Sequence, residues 1–340
     1  MIRALLFDWG DTLMRVLPEE TGPIMAHWSR VEAIPGAELV LRTLRASYRI
    51  ALATNGGAAG VPLVRKALAR ARLDEYLEEI FTAQDLGARK PDTAFFLALL
   101  GRLGVRPHEA VMVGDSYAED VVGAKRAGLS AVWWNERRRV CPDPCPLYDA
   151  ELLEMRSLPQ LLSTPFLPDV DACLALLQEQ GATEGFLARA QAVARVACGL
   201  AFRLRERGES IDPLLAHRGA LLHDLGRAGH GPNRSHEGLA AGLPEERGFP
   251  ALARIARRHT ICAFLDERAH PTTWEERLVF YADSVVAEDT IVGVTRRAHE
   301  LCRRHPGEAE RLAHSLPSAL ALDAEIARRL GVAPSELVER

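Results

Sequence analysis

The sequence predicts an open α/β domain on a parallel sheet, followed by an all-α domain. Three observations carry that expectation. Apolar runs at Leu5–Phe7, Arg49–Thr54 and Ala110–Gly114 each end in a polar, reactive residue, as buried parallel strands do when they deliver side chains to a C-terminal rim. A proline-bearing stretch, Ser163-Thr164-Pro165-Phe166-Leu167-Pro168, then breaks the pattern. Beyond it apolar residues recur at helical spacing, as in Phe186, Val193, Val196, Ala197 and Leu200. The boundaries read as a first domain over 1–163, a linker over 164–168 and a second domain over 169–340; a chain of 340 residues is long enough for two cores.

In the first domain Asp8 follows the opening strand, within Phe7-Asp8-Trp9-Gly10-Asp11-Thr12. A helix is expected over about Gly36 to Ala46, and then the strand from Arg49, which ends in Thr54-Asn55-Gly56-Gly57. That hydroxyl and the following amides suit the oxygens of an anion. A helix, a turn and a short strand over Glu79 to Thr82 fill the interval to Arg89-Lys90-Pro91-Asp92, where Pro91 is placed to open a helix with Lys90 beside its positive terminus. The strand Ala110–Gly114 delivers Asp115, and Asp120 lies on the next helix. Two acids, a threonine and a lysine at strand ends are the parts of one anion site.

In this order and spacing the four segments resemble the haloacid dehalogenase superfamily, over about residues 1 to 163. The resemblance implies a Rossmann-like fold and Mg²⁺-dependent phosphatase chemistry. It makes Asp8 the nucleophile, gives Thr54 and Lys90, with Asn55 and Gly56, the transferring phosphoryl group, and binds Mg²⁺ through Asp8, the Gly10 carbonyl and Asp115, supported by Asp120. The physical logic is that a carboxylate attacks a dianionic phosphate only when cations cancel the repulsion. One departure stands out. Phosphatases of this superfamily carry a second Asp two residues after the nucleophile to protonate the leaving oxygen; here that position is Gly10, and the extra acid is Asp11. Adjacent side chains on an extended segment point to opposite sides, so Asp11 is not automatically a substitute. Haloacid dehalogenases also lack the second Asp, which leaves carbon–halogen hydrolysis as an alternative, while Asp115 and Asp120 argue for a metal and for phosphoryl chemistry.

Composition narrows the function classes. The formal net charge is −4 with both signs interspersed, which gives no case for general nucleic-acid binding, and Arg137-Arg138-Arg139 reads as solvated surface. There is no secretory leader pattern and no apolar run expected to span a bilayer, so a soluble cytoplasmic protein is expected. Six cysteines at irregular spacing make no disulfide framework; Cys141-Pro142-Asp143-Pro144-Cys145 reads as a proline-stiffened loop with reduced thiols.

In the second domain the chemistry gathers in Leu221-Leu222-His223-Asp224-Leu225-Gly226-Arg227, followed by His236, His259 and Asp283. A His-Asp pair closing an apolar helix needs partners when buried, and a shared metal satisfies both. Over about residues 180 to 300 these motifs resemble the HD-domain metal-dependent phosphohydrolases. The resemblance implies His223, Asp224 and Asp283 as ligands of a divalent transition metal such as Mn²⁺, Fe²⁺ or Zn²⁺, with His236 and His259 serving a second metal or phosphate. The family's first histidine, however, is Arg189 here, and a guanidinium has no electron pair to donate to a metal. The domain then works with fewer ligands, or uses Arg189 as a phosphate clamp, or serves as a binding module.

The segment Met14 to Pro35 is too short for a large helical cap, so the second domain is the candidate cover for the first site. The expectation is a two-domain phosphohydrolase acting on a small phosphorylated metabolite or nucleotide, with homo-oligomerisation left open. The alternative is a protein that senses phosphorylated ligands with little turnover.

Overall fold

The computed structural model describes every residue except 21, 23, 57–59, 229–241, 243, 247, 261–262, 266–268 and 333–340, so Gly57 and His236 lie outside the described residues. The chain divides into two compact units, Met1–Arg139 with Leu147–Phe166, and Val140–Pro146 with Leu167–Arg340. The split at Phe166/Leu167 falls within the proline-bearing stretch. The Val140–Pro146 segment, counted above with the first domain, belongs instead to the second unit: buried Arg218 donates to the Pro146 carbonyl at 2.7 Å and to the Pro168 carbonyl at 3.0 Å.

In the first unit six parallel strands, β1 (Ala4–Phe7), β2 (Arg49–Thr54), β3 (Glu79–Thr82), β4 (Ala110–Gly114), β5 (Ser130–Trp134) and β6 (Ala150–Leu152), lie in the order β3-β2-β1-β4-β5-β6. β1 sits in the middle, with Leu6 opposite Ala51 of β2 and Phe7 opposite Val113 of β4. Every residue of β1 and β4 is buried, which is why these strands are continuous apolar runs rather than alternating ones. The connecting helices are α1 (Ala37–Leu44), α2 (Val61–Arg70), α3 (Ala83–Leu86), α4 (Thr93–Leu103), α5 (Gly123–Arg126) and α6 (Leu158–Leu162). The strand order reverses direction between β1 and β4, which opens a crevice at their carboxyl ends, and Asp8 and Asp115 are the residues that follow them.

Two expectations need correction here. Pro91 does not open a helix: α4 begins at Thr93 with Asp92 as N-cap, after a cis Lys90–Pro91 peptide. The reason is that the Asn55 side chain takes the Lys90 backbone, accepting its N–H at 2.8 Å and donating to its carbonyl at 3.1 Å, which shapes the chain as a loop. Asp11 is not on an extended segment either; it adopts φ 52° in a tight turn closed by Asp11 N–H donating to the Met14 carbonyl at 2.7 Å.

The second unit contains α7 (Val170–Glu179), α8 (Glu184–Glu206), α9 (Pro213–Leu222), α10 (Pro250–Arg258), α11 (Trp274–Val285), α12 (Val294–Arg304) and α13 (Ala309–Leu330). It also contains a small antiparallel pair, β7 (Val286–Ala287) with β8 (Thr290–Ile291), too short to leave an alternation in the sequence. α8 starts at Thr183, whose hydroxyl accepts the Phe186 N–H. By length and a mean hydropathy of 1.2 this helix is apolar enough to cross a bilayer, which corrects the expectation that no segment is. Its apolar face is spent inside the unit: Val193, Ala197, Leu200 and Leu204 share one core with Leu221 and Leu222 of α9 and Leu278, Val279 and Ala282 of α11. That packing carries Arg189, His223 and Asp283 on three neighbouring helices.

Candidate functional site

At the crevice of the first unit Lys90 is almost wholly buried, and its ammonium spends all three donors on acceptors: Asp8 Oδ1 at 2.6 Å, the Ala53 carbonyl at 2.9 Å and Asp120 Oδ1 at 2.5 Å. Burial opposes its charge, but Asp120 and Asp8 outweigh that penalty and hold its pKa above the ordinary lysine value. Asp120 is fixed in turn by the Ser116 N–H at 3.0 Å, within the π-helical turn Tyr117–Val122. Gly114 explains itself here, since a Cβ at that position would lie 2.2 Å from the Asp120 carboxylate. Thr12, fully buried, ties the segment after β1 to the end of β4: its hydroxyl lies 3.4 Å from Asp8 Oδ2 and accepts the Asp115 N–H at 3.1 Å. Thr54 is buried at the end of β2, where its hydroxyl accepts the Gly56 N–H at 3.0 Å. The Asn55 amide also donates to Glu119 at 2.9 Å, so this side chain is committed to holding the Lys90 and Glu119 loops.

Asp8, Asp115 and Asp120 bring carboxylate oxygens within 4.8 Å of one another. Burial, and then the charge of Asp8, push the Asp115 carboxyl up, while Arg139 pulls it down. Because Asp120 is committed to Lys90 and Ser116, Asp8 and Asp115 are the pair suited to share a hard divalent cation through oxygen, and the crowding of like charge is what such a cation relieves. These residues fit Mg²⁺.

Asp11, Gly10 and Arg139 form the rim of the site. Asp11 Oδ1 accepts the Val16 N–H at 3.0 Å and Oδ2 lies 4.0 Å from Arg137, so this carboxylate is engaged by its own loop and its neighbour. A Cβ at Gly10 would meet Val16 Cγ2 at 3.2 Å and Met25 Cε at 3.7 Å, so apolar groups border the position where phosphatases of this type carry their acid. Arg139 is exposed, in keeping with the reading of this run as solvated surface, yet its guanidinium reaches back to the site: it donates to the Asp115 carbonyl at 2.6 Å, lies 3.4 Å from the Asp115 carboxylate and rests over the Trp133 ring at 5.9 Å. Asn135 fixes it, accepting the Arg139 N–H and donating to its carbonyl, both at 2.8 Å. A run of three arginines does not reveal which one reaches back to Asp115.

In the second unit α9 ends at Leu222, and His223 and Asp224 follow at its C-terminus, both buried. His223 donates from Nδ1 to the Ala220 carbonyl at 2.6 Å, which turns Nε2 toward Asp224 and Asp283, each at 3.3 Å. His259 likewise donates from Nδ1 to the Ala256 carbonyl at 2.8 Å and points Nε2 at Asp224 Oδ1, 3.1 Å away. Arg189 enters the same cluster from α8, with Nη1 3.4 Å from Asp224 Oδ2 and 3.5 Å from His223 Nε2, and Nη2 hydrogen-bonded to Asp283 Oδ1. Burial lowers the His223 pKa, but Asp224 and Asp283 more than reverse this and raise it to about 9. Against the cost of burial, His223 holds the Asp224 carboxyl, and Arg189 followed by His223 holds the Asp283 carboxyl, well below the usual range. The structure thus gathers Arg189, His223, Asp224, His259 and Asp283. Of the predicted metal set, the two acids Asp224 and Asp283 are bridged by this guanidinium, while His223, Asp224 and His259 bring ligand atoms within 4.8 Å of one another.

Residues 19–128 match the family model described as haloacid dehalogenase-like hydrolase, and residues 188–288 match that of the HD domain. A glyceraldehyde 3-phosphate phosphatase of Pyrococcus furiosus is 32% identical over 136 residues, 36% of this chain and 55% of the relative. A phosphoserine phosphatase of Thermus thermophilus is 40% identical over 106 residues, 31% of this chain and 41% of the relative. The chain spans about half the length of these curated relatives. An uncharacterized protein from Listeria monocytogenes serotype 4b superposes with a TM-score of 0.43 at 22% identity, covering 48% of this chain and 97% of that one. Domains of both matched families are metal-dependent.

Proposed function

We propose that this chain, a haloacid dehalogenase-like hydrolase domain joined to an HD domain, is a phosphatase that hydrolyses small phosphorylated metabolites or nucleotides at Asp8. The observation that carries the reading is the Asp8 carboxylate just after β1, with Oδ1 held by buried Lys90 at 2.6 Å, Oδ2 3.4 Å from the Thr12 hydroxyl, and a carboxylate oxygen within 4.8 Å of one on Asp115. Asp8, the Gly10 carbonyl and Asp115 would hold Mg²⁺, which supplies charge neutralisation between the nucleophile and the phosphate. Lys90 fixes Asp8 Oδ1 and leaves Oδ2 to attack phosphorus as the bond to the leaving oxygen breaks. The Thr54 hydroxyl, which accepts the Gly56 N–H and keeps its own O–H to donate, is suited to a transferring phosphoryl oxygen. Water then cleaves the acyl phosphate, releasing inorganic phosphate and restoring Asp8. Phosphatases among the relatives support the same class of substrate.

Asp8→Asn keeps the size of the side chain and removes the nucleophile, so it is expected to abolish turnover of an aryl phosphate. Lys90→Ala should lower it by roughly 10²-fold or more. Borohydride trapping of a phospho-Asp8 adduct in the natural chain checks the intermediate; undiminished turnover by Asp8→Asn rejects the reading.

A second reading, a sensor of phosphorylated ligands with weak turnover, is favoured by one observation: Gly10 supplies no acid and Val16 and Met25 border its position. Tight binding of a phosphorylated ligand without its hydrolysis would establish that reading.

A further inference from the structure

We infer that in the helical unit the Arg189 guanidinium is a built-in replacement for the divalent metal, so that this HD domain holds no metal ion and performs no metal-dependent hydrolysis. The inference is independent of the Asp8 chemistry in the other unit. It starts from placement. A metal shared by residues of α9 and α11 has to sit between Asp224 and Asp283 beside His223, and that is where the guanidinium lies: Nη1 is 3.4 Å from Asp224 Oδ2 and 3.5 Å from His223 Nε2, and Nη2 bonds Asp283 Oδ1.

Donor chemistry points the same way. A metal centre needs lone pairs converging on one point, whereas guanidinium offers only N–H groups and keeps its charge at every accessible pH. The acids are also matched without an ion. Asp224 Oδ1 faces His259 Nε2 at 3.1 Å and Arg227 Nε at 3.3 Å, while its other oxygen faces Arg189. Buried Arg297 on α12 stands within electrostatic reach of Arg189 and Asp283 and adds further positive charge. A dication brought to this cluster meets fixed cations at contact range rather than an uncompensated anionic pair.

Among the described residues the other predicted donors lie together. His223, Asp224 and His259 still offer ligand atoms within 4.8 Å of one another, and Asp283 lies 3.3 Å from His223. One residue therefore separates this cluster from a metal centre, which makes the inference testable by gain as well as by loss.

The experiment uses the full chain with Asp115→Ala, which disables the acid pair of the sheet unit so that only the helical unit is read. The protein is incubated with excess Mn²⁺ or Zn²⁺, dialysed, and analysed for metal by mass spectrometry. The expected result is no retained metal with Arg189 in place and about one equivalent once Arg189→His is added, lost again with His223→Ala. A full equivalent retained with Arg189 present, and lost on His223→Ala, overturns the inference. Should Arg189→His fail to fold, the Arg189-containing protein and its His223→Ala partner decide the matter between them.

Discussion

A single missing carboxylate at position 10 sets the expected selectivity of the Asp8 site. Without a general acid the leaving oxygen departs unprotonated, which costs about 10²- to 10⁴-fold on poor leaving groups and little on good ones. Aryl phosphates, acyl phosphates and phosphoanhydrides are therefore expected to be hydrolysed far faster than alkyl monoesters, as a comparison of kcat/KM across a leaving-group series will show. Asp11 is held in its own turn by the Val16 N–H, so Asp11→Asn is expected to leave that series nearly unchanged. An Asp11→Asn defect confined to alkyl esters would instead make Asp11 the acid. At this scale the sequence revealed residue types better than partners. Asp8, Lys90, Asp115 and Asp120 announce themselves by following apolar strands or by their spacing, and the structure places them in one charged cluster. Arg139 and Thr12 were not legible, because their roles depend on a hydrogen bond to residue 115, more than twenty and more than one hundred positions away respectively.

Elements are legible where their pattern is long. The strands over Arg49–Thr54, Glu79–Thr82 and Ala110–Gly114 and the long helix around Val193 follow from apolar periodicity, whereas the β7–β8 pair has two residues per strand and no period to read. The junction of α8, α9 and α11 shows what periodicity leaves out. It brings helices together but does not say that Arg189 would reach two carboxylates and an imidazole at once. That junction carries a pH dependence. The folded pKa of His223, about 9, lies above its unfolded value of about 6.5, so its protonation stabilises the fold fully below that lower value and the contribution is lost as pH rises through about 9. The lowered carboxyls of Asp224 and Asp283 act oppositely: their stabilisation is present above about pH 4 and is lost as pH falls further. The melting temperature of the full chain is expected to decline between about pH 7 and 9, and His223→Asn to flatten that decline. An unchanged slope in the variant would place the titrating group elsewhere.

The chain passes between its two units at Arg139/Val140, Pro146/Leu147 and Phe166/Leu167. The chain leaves the sheet unit at Arg139, passes through Val140–Pro146, which belongs to the helical unit, and returns at Leu147. Arg139, the last residue before that excursion, donates to the Asp115 carbonyl, and Leu147, the first after it, donates its N–H to the Tyr117 hydroxyl at 3.1 Å. The excursion is itself pinned by Arg218, which also holds the Pro168 carbonyl where the chain enters the helical unit a second time. Both passages of the chain are thus tied to one buried guanidinium. Arg218→Met keeps much of the buried volume but removes its hydrogen bonds to the two carbonyls, and it is expected to loosen the strap that ends on Arg139. The effect should appear as a several-fold rise in KM and in the Mg²⁺ concentration required for half-maximal rate, with phospho-Asp8 still trapped by borohydride, since Asp8 and Lys90 keep their places. Circular dichroism at the assay temperature separates this outcome from simple unfolding. A folded Arg218→Met protein with unaltered KM and Mg²⁺ requirement would show that the Val140–Pro146 excursion fastens the chain without influencing the Asp115 side of the site.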